Sequence, residues 1–293
     1  MDIKFHCYEQ DSFKGEKQFV RAFTYTDYAI DPHNHDFYEM NVVLGGVGIH
    51  EIEGESFPVK RGDVFVIPPM TVHAYRNTEH LEIYHVLFKK DFIRRNAAES
   101  EKVAGFLKLM EIEPFLRQNY SEAMFLHLTP SQMMEIQSDF KFLEEGNAFD
   151  NDSFLHLKEH TVWKLVYYLS YLLEQQTTAA EKEGGGKYRR QILDTLEYLS
   201  SHFSDKITIS ELAGRVYLSR STFLRSFVSV CGCSPIEYLN NYRIKRAVEL
   251  LELGELSKTE IAHFCGFYDL SHMEKSIKRS SIGVRKNDVD KRD

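Results

Sequence analysis

The sequence predicts a multidomain chain, with an N-terminal all-β barrel plus helices and a C-terminal all-α domain holding two helix-turn-helix units. Three observations carry this. Short runs rich in Val, Ile, Phe and Tyr, punctuated by glycine, fill residues 1–95. From residue 97 the apolar residues recur at helical spacing. A polar stretch, EQQTTAAEKEGGGK, then separates this half from a second, wholly helical one.

The β region is made of FYEMNVVLGG, VGIHEIEG, ESFPVKRG and DVFVIPP, with turn residues at Gly45, Gly46, Gly54, Gly62 and Pro68-Pro69. Close-set short strands of this kind suit a sandwich or small barrel. AESEKVAGFLKLMEIEPFL and SQMMEIQSDFKFLEEG follow as helices, and Ser153 to Glu174 is the most regular of them. Its Leu155, Val162, Leu165, Leu169 and Leu172 form one stripe, which can pack on its own domain or on a second copy of the chain. On these grounds residues 1–95 are the barrel, 96–176 a helical dimerisation segment, 177–187 a flexible linker and 188–293 the C-terminal domain. Consecutive glycines at 184–186 mark the boundary.

At 293 residues the chain has room for about two domains. Its 43% hydrophobic and 27% charged residues exclude disordered and collagen-like classes. The net charge of −8 argues against a nucleic-acid binder only until it is divided. Residues 187–293 carry 18 Lys and Arg against 14 Asp and Glu, a net of +4, so the first 186 residues carry −12. A basic helical module tethered to an acidic one hints at nucleic-acid contact. The start lacks a signal-type apolar stretch, and VWKLVYYLSYLL is too short for a membrane span. The four cysteines form no CxxC pair. A cytoplasmic protein without membrane contact is expected.

In the C-terminal module, Tyr188 to Phe203 reads as an amphipathic helix. Thr208-x-x-Glu211 opens a short helix, Ser219 caps the next, and Ser234-Pro235 opens a long one that Gly254 stops. After the break at Tyr217-Leu218, the helix from Ser219 turns Phe223, Leu224 and Phe227 inward. Its outer face carries Arg220, Ser221, Thr222 and Arg225, groups able to reach base edges and phosphates. The order recurs about 50 residues on: Glu260-Ile261-Ala262 answers Glu211-Leu212-Ala213, Gly266 makes the turn, and Asp269 or Ser271 caps the next helix. His272, Lys275, Lys278 and Arg279 are its outward candidates. Two such units on one rigid helix would meet major-groove faces about one turn, ~34 Å, apart. Arg243, Lys245 and Arg246 on the linking helix suit phosphate contact and ordinary surface pairing equally.

LSRSTFLRSFVSVCGCSPIEYLNNYRIKRAVELL followed by IAHFCGFYDLS resembles the AraC/XylS-type DNA-binding domain. The resemblance implies a sequence-specific transcription regulator acting on double-stranded DNA, and it admits RNA polymerase as a further partner. The second unit departs from the pattern. Met273 and Ile277 stand at its aromatic positions, and its end, GVRKNDVDKRD, lacks the Ser/Thr-Pro and aromatic that close the first unit. A frayed charged tail is expected there.

In the N-terminal half, His33, His35 and Glu39 fall on one face by strand alternation, and His73 arrives after Pro68-Pro69. Three imidazoles and a carboxylate suit a divalent transition ion such as Zn, Fe, Mn or Ni. The spacing resembles the two cupin motifs, H-x-H-x-x-x-E and G-x5-P-x-x-x-x-H, with Met70 and Asp27 where the family usually has glycine. The resemblance implies a cupin-like barrel. Sensor barrels attached to AraC-type modules resemble pockets for a small effector, frequently a sugar, with no metal required. Structural hydrogen bonding, effector binding and metal ligation therefore all stand for His33, His35, Glu39 and His73. No catalytic constellation is present, and Walker or Rossmann spacing is absent. The expected function is an effector-responsive DNA-binding regulator, a homodimer and not an enzyme. The rival reading is a metal-dependent cupin enzyme with a helical, DNA-binding-like appendage.

Overall fold

A computed structural model describes residues 2–13, 17–100, 102–119, 126–146, 151–182, 188–254 and 256–280. The chain divides into two compact units, Met1–Gly185 and Gly186–Asp293.

The first unit is built on β1 (Phe5–Cys7), β2 (Val20–Tyr25), β3 (Ile30–His35), β4 (Tyr38–Ile52), β5 (Glu55–Lys60), β6 (Asp63–Ile67) and β7 (His73–Phe88), with a short α1 (Glu9–Ser12) after β1. Then come α2 (Lys90–Arg95), α3 (Ala97–Ser100), a π-helical turn (Lys108–Ile112), α4 (Glu113–Asn119), β8 (Leu126–His127), α5 (Pro130–Glu145) and α6 (Asp152–Lys182). The strands form one sheet in the order β1-β3-β7-β4-β6-β8, with β2 on β7 and β5 on β4. All pairings are antiparallel except β1 with β3. Alternation divides each strand between two faces. Met40, Val42, Val64, Val66, Tyr84 and Val86 face the helices in the main core, while Val43, Phe65, Tyr75, Leu81 and Ile83 form a second cluster on the inner face.

Gly45 and Gly46 do not end a strand, as their sequence context predicts. They sit inside β4 as a bulge, where the β4–β7 register slips between Val43 and Gly45. Gly46 has φ +72°, and a Cβ there would lie 2.2 Å from the His80 carbonyl oxygen. Only glycine fits that approach. Further shifts follow between Gly45 and Val47 and between Val47 and Ile49, and together they reverse the facing of β4, so even-numbered His50, opposite Tyr75, joins odd-numbered Glu39 and Asn41 on the inner face.

Three further expectations are corrected. The segment 96–176 is not purely helical, because β8 comes from it and pairs with β6. The expected linker 177–187 begins too early, since α6 continues to Lys182; residues 183–187, including Gly184–Gly186, lie outside the described residues. The α6 stripe is not a free dimerisation surface. Val162, Leu165 and Leu169 are fully buried and Leu172 nearly so, all in the unit's own core beside Phe92, Phe106 and Phe140. A helix lying on a sheet already has the cover that its apolar face requires.

The second unit comprises α7 (Arg189–Ser201), α8 (Ile209–Arg215), α9 (Arg220–Cys231), α10 (Pro235–Leu253), α11 (Lys258–Phe264) and α12 (Leu270–Arg279). Its helix ends are set by local chemistry. Thr208, Ser219, Ser234, Ser257 and Asp269 each accept a bond from the backbone NH three residues on. Ser234 and Ser257 complete reciprocal capping boxes with Glu237 and Glu260. Gly232 and Gly254 close α9 and α10 in the left-handed conformation. Phe223 and Phe227 of α9 are fully buried, with Tyr238 of α10 beside Phe227. Met273 and Ile277 of α12 pack with Ile244, Ala247, Ile261 and Phe267. The second helix-turn-helix therefore packs despite its missing aromatics. The GVRKNDVDKRD tail lies outside the described residues.

Candidate functional site

The inner face of the curled sheet gathers the four residues expected there, though not from a single strand. A bend at Asp36-Phe37 puts Glu39 on β4, while His33 and His35 end β3. His35 Nε2 lies 3.2 Å and His73 Nε2 3.9 Å from Glu39 Oε2. His33 stacks against Phe5 and its ring centroid is 4.2 Å from that of His73, but its Nδ1 is bonded to the Asp31 carbonyl. The donor atoms of His35, Glu39 and His73 all lie within 4.8 Å of one another. His33 stands outside that group, which reduces the expected metal set from four residues to three.

Sequence reasoning missed four inner-face residues. His85 Nδ1 is 2.7 Å from Glu39 Oε1. His50 stacks on Tyr75, with centroids 4.5 Å apart, and Asn41 donates to the Tyr75 hydroxyl at 3.1 Å. His85 shares the parity of His73 along β7, so alternation alone could have found it. His50 could not be found that way, because the register shifts around Gly46 reverse the count.

The electrostatics follow from burial. Burial pushes the Glu39 carboxyl up, but His35, His85 and His73 around it outweigh this and hold it well below the usual carboxylate range. Burial also pushes His50 and His73 well below the usual imidazole value, and lowers His33. The cluster therefore sets an ionised carboxylate beside imidazoles, His50 and His73, that burial keeps neutral. Among the described residues, neither ring nitrogen of His50 or of His73 has a hydrogen-bond partner, nor do His85 Nε2 and Asn41 Oδ1. Buried polar atoms left unpaired cost stability, and here they converge on one face, as a site for a polar ligand would.

On the second unit, Arg220, Ser221 and Arg225 are exposed along α9. Thr222 is half-buried, and its hydroxyl accepts from the Ser219 hydroxyl within the cap. On α12, His272, Lys275, Lys278 and Arg279 are exposed, with the His272 ring drawn to the Tyr268 amide at 3.5 Å. The linking helix differs. Arg243 donates to the Phe203 and Asp205 carbonyls, and Arg246 pairs with Glu249 at 2.9 Å. Arg243 ties α10 to the segment after α7 and Arg246 is paired within its own helix, while α9 and α12 present their cations to solvent. The turn before α9 uses a non-glycine, Tyr217, at φ +54° and 96% exposed. The corresponding turn before α12 uses Gly266, where a Cβ would lie 2.6 Å from the Ser204 carbonyl oxygen.

Comparison with known proteins identifies both domains. Residues 17–139 match the family model described as an AraC-like ligand binding domain, and residues 212–281 match a helix-turn-helix domain. Over 247 residues the chain is 28% identical to the HTH-type transcriptional activator RhaS of Escherichia coli O1:K1 / APEC, covering 84% of this chain and 83% of that one. Among solved structures, it is similar to the DNA-binding domain of AdpA in complex with a target DNA, at 29% identity over 32% of this chain and 84% of that one, with TM-score 0.30. It is also similar to ToxT from Vibrio cholerae O395, at 13% identity over 89% and 94% of the two chains, with TM-score 0.38. With a ligand-binding domain followed by a helix-turn-helix domain, the chain belongs to the AraC family of DNA-binding transcription regulators.

Proposed function

We propose that the chain is a non-enzymatic, cytoplasmic regulator that binds a small polyhydroxylated molecule of the sugar class on the inner face of its β domain. Occupancy then changes its affinity for DNA. The observation that carries this reading is the set of unpaired buried groups on His50, His73, His85 and Asn41. Such groups donate and accept in turn, as vicinal hydroxyls require. A ligand of this kind acts only through different affinity for two states of the protein. The test is DNA affinity across a panel of sugars, for wild type and Asn41→Leu. At least one sugar shifts affinity in wild type and loses its effect in the variant. If no sugar shifts it, the sensing role is wrong.

His35, Glu39 and His73 also fit a divalent transition ion. The His35 Nδ1 contact to the Phe37 carbonyl, 2.7 Å, fixes its proton there and leaves Nε2 free to ligate. An ion so held would supply a Lewis-acidic contact to a ligand hydroxyl, and metal analysis of purified protein would detect it.

On DNA, we assign base and phosphate contact first to Arg220, Ser221 and Arg225, with Thr222 at the rim. His272, Lys275, Lys278 and Arg279 form the secondary surface. Arg225→Ala is expected to weaken specific binding by ~1–3 kcal/mol, and Lys278→Ala by less. Titration of both variants on one duplex checks the ranking; a reversed order would make the second unit the principal reader. For self-association we propose a homodimer through the outward side of α6, where Leu157 and Tyr171 remain 53% and 52% exposed. RNA polymerase is the remaining partner, proposed because the relative RhaS is a transcriptional activator.

A further inference from the structure

A buried cation at the edge of the inner face takes no part in the cluster around Glu39. Arg117 of α4 is fully buried. Its Nη2 donates to the Val66 carbonyl on β6 at 2.5 Å, and its guanidinium carbon lies 5.1 Å from the centre of the Phe65 ring. Phe65 faces inward, and its ring centre is 5.0 Å from that of His50, which in turn stacks on Tyr75. Arg117 thus stands at one end of a row of inner-face groups that continues through Tyr75 to Asn41, with Glu39 and its imidazoles at the other end.

The charge on Arg117 is poorly answered. Guanidinium stays protonated in proteins, so burial does not remove the charge. Its carboxylate neighbour is Glu113, one turn back, with Oε1 3.1 Å from Arg117 Nε. The contact is too poorly aligned to be a hydrogen bond, and neither Glu113 oxygen has a hydrogen-bond partner among the described residues. Burial pushes the Glu113 carboxyl up to about 7, so near neutrality it is partly protonated and neutralises Arg117 incompletely. Arg117 Nη1 also lacks a partner among the described residues. A desolvated guanidinium with a free NH₂ is a docking point for a planar oxyanion.

We propose that the ligand of the β domain is a polyhydroxy acid, its carboxylate held by Arg117 and its hydroxyls lying along Tyr75, His50 and Asn41 toward Glu39. This rests on the sugar-sensing reading and narrows it: the preferred molecule is an aldonate or uronate rather than the neutral sugar. A monoanionic carboxylate matches one guanidinium, whereas a sugar phosphate brings a second negative charge beside Glu113.

Calorimetric titration of the full chain tests this with three matched ligands: a hexose, the corresponding uronate or aldonate, and the hexose phosphate. The acid is expected to bind roughly 10- to 100-fold tighter than the neutral sugar, the worth of one charge-assisted hydrogen-bond pair. Arg117→Leu alone would strand Glu113, so the variant to use is Arg117→Leu with Glu113→Leu. Replacing both members of a buried pair by apolar groups commonly preserves the fold, and thermal melting checks that it does. The double variant should bind the neutral sugar as before and lose the preference for the acid. Neutral sugar binding as tightly as the acid, or phosphate binding tightest, overturns this inference and leaves sugar sensing intact. An acid preference that survives in the folded double variant overturns the role of Arg117. If no member of the series binds across several hexose stereochemistries, sugar sensing itself is wrong and the inference goes with it.

Discussion

Replacing Phe227 by alanine is expected to destabilise the C-terminal unit by about 3–5 kcal/mol and to abolish DNA binding with it. Phe227 is fully buried on the inward side of α9, with Phe223 5.8 Å and Tyr238 6.2 Å away between ring centres. Removing the ring leaves a cavity where α9 meets α10. A domain of about 100 residues has ~5–15 kcal/mol of stability in total, so a loss of this size populates unfolded C-terminal unit under working conditions. Denaturant unfolding of the full chain, followed by duplex titration, would show both effects. A loss under about 1 kcal/mol, below the range for a buried aromatic, would mean that α9 is not seated on this core.

Mild acid is expected to unfold the N-terminal unit of metal-free protein, beginning below the ordinary histidine value of 6.5. Burial holds His50 and His73 well below that value in the folded state, and lowers His33. For such groups the unfolded chain binds more protons, so the stability present above 6.5 is lost as the pH falls toward the folded values. Glu113 acts in the opposite sense. Its folded value is raised to about 7, so protonation between there and 4.5 favours the folded state and offsets one imidazole. Glu39, held well below 4.5, adds a further loss only below that point. The net slope should be about 1–3 kcal/mol per pH unit between 6.5 and 4.5, since each additional proton bound by the unfolded chain contributes about 1.4 kcal/mol per pH unit. Chemical denaturation at several pH values, with the N-terminal transition resolved, would measure it. Stability that is flat across this range would place the imidazoles in contact with water.

What the sequence revealed and what it concealed divide along the range of the interaction. Caps such as Ser219, Ser234 and Ser257 act over three residues, so the helices of the C-terminal unit were legible from spacing alone. The pairing of Phe223 and Phe227 against outward Arg220 and Arg225 was legible for the same reason. In the N-terminal unit, alternation identified the strands and placed His35, Glu39 and His73 together. It could not anticipate the Gly46 bulge, because the need for glycine arises from the His80 carbonyl on a distant stretch of β7. His50 was hidden with it. The α6 stripe was visible as a stripe, but periodicity says only that a face is covered and not by what. Arg117 was least legible of all: a lone cation in an apolar helix looks like surface until the edge of β6 is set against it.

The central claim is that this chain binds duplex DNA through the exposed cations of α9, and salt dependence tests it most directly. Full-length protein would be titrated with a duplex selected from a random pool, at 50 and 200 mM salt, for wild type and Arg225→Ala. Each phosphate that a protein cation neutralises adds a slope of about −0.9 in log affinity against log salt, because binding releases its counterion. Affinity should therefore fall steeply with salt in wild type, and start lower in the variant. Binding that ignores salt, or no binding at 50 mM, would contradict the account.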